Sequence, residues 1–81
     1  MTPAQCRAAR GWLDMTQDDL AKAASVSLST VRDFEKGRRV PIQATLAAMR
    51  SVLESSGIGF VFADDRPCGI TYAPNEKDTS H

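Results

Sequence analysis

Histidine is all but missing from this 81-residue chain, the single copy being His81. Serines are plentiful, but with no internal histidine no nucleophile, base and orienting group can be assembled, and a lone terminal imidazole makes no metal site. Cysteine is scarce too: Cys6 and Cys68 are too few for a disulfide framework and have no histidine cluster beside them for zinc. Both read as reduced thiols, Cys6 as a small buried hydrophobe and Cys68 as a loop residue. Long apolar runs are absent, which excludes a membrane span, and the opening MTPAQCRAAR lacks the apolar stretch of a secretion signal. A cytoplasmic protein with no membrane partner is expected. Gly57 and Gly59 are followed by no phosphate-loop lysine, and a chain of this size has room for one small core but not for a ligand pocket. No enzyme activity, no cofactor and no metal are expected.

Net charge is absent as well, yet its distribution is uneven. Up to Ser56 there are eight basic and six acidic residues, and beyond it two basic and four acidic. Arg32, Lys36, Arg38 and Arg39 lie close together, so a modest basic patch is predicted within the first part.

The helical signals are plain. Thr2, Pro3 and Gln5 form a capped start with proline in the first turn, and Cys6, Ala9, Arg10 and Leu13 follow at helical spacing, one of them charged. Thr16 and Asp19 repeat the capping pattern ahead of Leu20, Ala21 and Ala24. A tight turn with Val26 as its apolar plug leads to Ser27, which caps a third helix predicted over Leu28 to Lys36 and stopped by Gly37 in a left-handed conformation. Val31 and Phe34 share its docking side, and Leu28, Ser29, Arg32, Asp33 and Lys36 follow the rhythm of the opposite side. Pro41 introduces a longer helix from about Ile42 to Ser55, with Ile42, Leu46, Met49 and Leu53 as its core stripe and Gly57 as its end. Trp12 reads as partial core packing.

Two short helices joined by a tight turn, the second with a non-apolar face, make the unit that lays its second helix in the major groove of double-stranded DNA. The first helix, the run TQDDLAKAASVSLSTVRDFEKGRRVP and a following apolar helix together resemble the XRE family, the helix-turn-helix fold of lambdoid phage repressors and Cro proteins. Gln17, Leu20, Ala21, Val26, Ser27, Val31, Glu35 and Gly37 carry the likeness, which spans roughly Gln5 to Leu53.

The resemblance implies a mainly α fold, a four- to five-helix lambda-repressor-like domain, to which the residue pattern beyond it adds a C-terminal β-hairpin. It puts Leu28, Ser29, Arg32 and Asp33 toward base edges, and Thr16, Gln17, Ser27, Thr30, Lys36, Arg38 and Arg39 toward the DNA backbone. It also pairs Arg10 with Glu35, which accounts for a charge on an apolar stripe. Arg32 suits guanine unless Asp33 neutralises it, and Asp33 can accept a hydrogen bond from cytosine. Where the family places glycine this chain has Ser25, so the turn either holds a serine at a left-handed angle, at about 1 kcal/mol, or takes another path.

Beyond residue 56, Ile58, Phe60 and Phe62 alternate, DDRP reads as a turn, and Ile70 and Tyr72 alternate again, so a hairpin is predicted over 57–73 with a disordered polar tail over 74–81. One face of it is expected to fold onto the helix at 42–53. An isolated hairpin is marginal in water, and Ile58, Phe60, Val61, Phe62, Ile70 and Tyr72 are expected to pair with the same edge of a second copy. The alternative is a hairpin that only caps the core of its own domain. A homodimeric repressor on a palindromic operator follows, of bacterial or phage origin, with activation left open. The rival reading is a protein-interaction module, an antitoxin or adaptor, whose hairpin holds an unidentified protein partner.

Overall fold

The computed structural model describes residues 1–74, so most of the predicted tail, with His81, lies outside the described residues. Four helices come first, α1 (Pro3–Leu13), α2 (Gln17–Ala24), α3 (Leu28–Glu35) and α4 (Gln43–Ser55), followed by an antiparallel hairpin of β1 (Ile58–Ala63) and β2 (Arg66–Tyr72). Each of the first three helices starts where a hydroxyl can take up free backbone donors. Thr2 and Thr16 form complete capping boxes with Gln5 and Asp19, and Ser27 accepts from the Thr30 N–H. α3 stops one residue earlier than expected, with Lys36 as its C-cap and Gly37 at φ +75° behind it.

Ser25 closes α2 at φ +57°, so the turn keeps its path and the serine holds the left-handed angle. Asp14 closes α1 in the same way. The two turns fix the angles between the first three helices.

One buried cluster joins every helix to the hairpin: Cys6, Ala9, Leu20, Ala21, Val31, Phe34, Met49, Leu53 and Ile58. Ile42 is not part of it. It is the N-cap of α4, on extended backbone and 74% exposed, because the side of α4 that packs on α2 begins only at Leu46, which is half-buried. Trp12 is also outside the core, 64% exposed, with its ring 5.8 Å from that of Tyr72.

The hairpin departs from expectation in three ways. Its turn is only Asp64 and Asp65, both at positive φ, so Arg66 and Pro67 belong to β2. The register slips between Val61 and Phe62, leaving Cys68 unpaired in the strand rather than in a loop. Fewer side chains pack inward than the alternation suggests: Phe60 and Ile70, opposite one another, pack on the core, whereas Phe62, beyond the bulge, and Tyr72, at the far end of β2 beside Trp12, are nearly half exposed. The hairpin also rests on two helices instead of one, β2 along α1 and β1 against α4. Gln5 is the tie. Its amide nitrogen donates to the carbonyls of Val61 (3.2 Å) and Gly69 (3.0 Å), while its Oε1 accepts from the Thr2 N–H.

Candidate nucleic-acid interface

The turn between α2 and α3 presents α3 lengthwise. Its inner side is buried through Val31, Phe34 and Glu35, and its outer side leaves Ser29, Arg32 and Lys36 exposed with Leu28 and Asp33 half-buried at the margins. Arg38 and Arg39 continue the exposed side into the following loop. Among the described residues none of these four basic groups makes an ion pair, and Asp33 does not neutralise Arg32. Elsewhere on the surface charges do pair, Lys22 with Asp18 and Arg50 with Glu54. At the start of α3 the hydroxyls of Ser27, Ser29 and Thr30 lie together, with Ser27 Oγ 2.7 Å from Thr30 Oγ1 and 3.2 Å from Ser29 Oγ. These are short groups that can approach a base edge or a phosphate closely.

The inner side is held by one buried carboxylate. Arg10 grips Glu35 through two parallel bonds, Nε to Oε2 and Nη2 to Oε1, each 2.6 Å. Gln17 Nε2 donates to Oε1 at 2.9 Å and the Cys6 thiol to Oε2 at 3.1 Å. Arg10 Nη1 goes on to the Met15 carbonyl, and Arg7 donates to the Glu35 carbonyl at the end of α3. Burial raises the Glu35 pKa, but the bonds from Arg10, Gln17 and Cys6 and the guanidinium charge outweigh it and hold the carboxyl below its ordinary 4.5. The bond to Glu35 strengthens the charged form of Arg10. Burial, then the bond to Glu35 and its charge, push the Cys6 thiol far above its ordinary value, so it stays protonated and donates.

The expected pair of Arg10 and Glu35 is therefore present, inside a larger knot that brings in Cys6 and Gln17. Gln17 differs from expectation: its amide nitrogen is turned inward to Glu35, so only its Oε1 and backbone N–H remain for other groups. The first turn of α2 also carries Asp18 and Asp19, and their charges oppose an anion at this end. Thr16 is exposed beside them, with its hydroxyl engaged in the cap. Of the residues assigned to the hairpin's pairing edge, Ile58 is 4% exposed, so its side chain serves its own core; Val61, Phe60 and Ile70 are half-buried.

Sequence reasoning missed Gln5, Cys6 and Arg7 as links to distant elements, because a bond across more than 25 residues leaves no local pattern. It also missed a groove of about 290 Å³ between α3 and the segment 39–45, lined by Ser29, Thr30, Asp33, Arg39, Val40, Pro41, Ile42 and Thr45. The exposure of Val40 and Ile42 there has no sequence signal beyond two β-branched residues around Pro41. No helix among the described residues is long and apolar enough to cross a membrane.

A helix-turn-helix family model matches residues 7–58, well over half of the chain, and so takes in α2, α3, α4 and the second part of α1. No curated protein matches it.

Proposed function

The chain belongs to the XRE, or lambda repressor-like, helix-turn-helix family of DNA-binding transcription regulators, and on that premise we propose that it is a cytoplasmic homodimeric repressor that reads a palindromic operator with α3. The observation that carries the reading is the contrast across α3. Its outer side offers Ser29 together with Arg32 and Lys36, which make no ion pair among the described residues, and its inner side is fixed by the Glu35 knot. A rigidly mounted helix with free donors suits the major groove, where guanine offers O6 and N7 to an arginine and every base pair shows a distinct edge. Leu28, Ser29, Arg32 and Asp33 would face bases; Ser27, Thr30, Lys36, Arg38 and Arg39 would hold the flanking phosphates. Gln17 would approach the backbone through its main-chain N–H, with Thr16, whose hydroxyl and N–H are both held in the capping box, flanking the phosphate.

Dimerisation is assigned to the hairpin, whose two strands have no third strand beside them among the described residues and whose Phe62 and Tyr72 are exposed. Joining two copies there would let two α3 helices address half-sites roughly one DNA turn, or 34 Å, apart. Occupation of a promoter by such a dimer represses without an effector.

Selection of duplexes from a random pool by the full chain tests this reading. It should enrich an inverted repeat with that spacing, and Arg38→Ala with Arg39→Ala should lower the slope of log affinity against log salt by about 2. Phe62→Glu should shift sedimentation of the full chain from dimer to monomer. If no duplex is enriched and the protein instead captures a protein partner through the hairpin, the interaction-module reading replaces this one.

A further inference from the structure

Two of the most exposed large apolar side chains in the protein, Val40 (78%) and Ile42 (74%), sit side by side around Pro41 on the wall of the groove that borders α3. They are not spare core residues: α4 packs below them through Met49 and Leu53, which are fully buried. Facing them across the groove are Ser29 and Asp33 of α3, with Arg39 on the loop side. The groove is continuous with the outer side of α3, so whatever α3 enters also meets Val40 and Ile42.

The chemistry of the walls narrows the occupant. Asp33 carries a negative charge into the groove and makes no ion pair among the described residues, which disfavours a phosphate there and favours an amino group. Arg39 can stand over a phosphate at the outer rim. In the major groove the exocyclic amino group of cytosine is the natural partner of a carboxylate, and the one protruding apolar group is the thymine C5 methyl. Resting on the reading of α3 as the DNA-reading helix, we propose that Val40 and Ile42 are specificity-determining residues that pack on a thymine methyl next to a cytosine held by Asp33. The protein then reads a pyrimidine step with a loop wall and a helix carboxylate together.

The probe is the duplex that the full-length protein selects from a random pool, compared with copies in which each thymine in turn is replaced by uracil. Uracil pairs as thymine does but lacks the methyl group. At one position per half-site, beside a cytosine, the replacement should weaken binding about fourfold, the effect of burying a single methyl group. In the variant Val40→Ser, Ile42→Ser, which removes the apolar methyl groups, that position should no longer distinguish thymine from uracil. Both changes are on exposed side chains, and serine at the N-cap of α4 supplies a hydroxyl that Ile42 lacks, so folding is preserved. Asp33→Asn should relax the preference for cytosine at the neighbouring position and leave the uracil effect in place.

The inference is overturned if no uracil replacement alters affinity, or if the replacement acts equally on the wild type and the double variant. It is also overturned if the double variant keeps its uracil discrimination and sediments as a smaller species, which assigns the wall to a second copy. Failure of the underlying reading looks different, because the protein would then select no duplex at all.

Discussion

Glu35 and Arg32 stand three residues apart on the same two-turn helix, under opposite conditions. Glu35 is 2% exposed and its carboxylate accepts four hydrogen bonds from three side chains, whereas Arg32 is exposed with no ion pair among the described residues. The comparison separates what holds α3 from what α3 offers. A charge answered on all sides locks a helix in place but recognises nothing outside, and a charge with no internal partner contributes little to stability but is available to a ligand. The same division recurs between the Gln5 amide, buried and tied to two hairpin carbonyls, and the exposed pair Val40 and Ile42.

The largest effect is expected at the buried residue of the two. Glu35→Ala strands Arg10, Gln17 and Cys6 and should cost roughly 3 kcal/mol, a fall in Tm of roughly 15 °C for a domain of this size. An unchanged melting curve would mean the knot does not hold the helix. The pH dependence follows from the same residue. Because its folded-state pKa is held below the ordinary 4.5, the stability it supplies is complete above that value and is lost as pH falls through the lowered one. Urea midpoints of the wild type should therefore decline below about pH 4.5 more steeply than those of Glu35→Gln.

A second substitution separates the helical body from the hairpin. Gln5→Ala removes the donor to Val61 and Gly69 and half of the α1 capping box, and should cost about 1–2 kcal/mol. Hydrogen exchange should quicken first in the strands and only later in α3. Equal acceleration throughout would show that the hairpin is not tied through this residue.

The smallest change sharpens the turn that aims α3. Ser25 holds φ +57° without the freedom of glycine, so Ser25→Gly should raise stability by about 0.5 kcal/mol, with no change in DNA affinity. A lower Tm would mean that the serine is favoured at this angle.

How much of this was legible in the sequence depended on whether the signal was local. The helices, their hydroxyl caps and the left-handed stop at Gly37 were readable because each rests on neighbours within a few positions. The link from Arg10 to Glu35 was readable because a charge on an apolar stripe asks for a partner and the family supplies one. Ile42 was misplaced because periodicity marks a stripe and does not say where the neighbouring helix ends. Phe62 and Tyr72 follow the apolar alternation yet lie nearly half exposed, because alternation marks a face of the hairpin and does not say how far the helices beneath it reach. Gln5 has a single role in the capping pattern although both ends of its amide are in use, and the inward bond of Gln17 to Glu35 spans too many residues to leave a local sign.

Base reading by α3 requires Arg32 to act outward, and the affinity of Arg32→Ala for the selected duplex and for a scrambled duplex of equal length measures that directly. A loss of about tenfold or more on the selected duplex, with the scrambled one little changed, is the expected result. Equal losses on both would reduce Arg32 to a phosphate contact and contradict the assignment of α3's outer side to base reading.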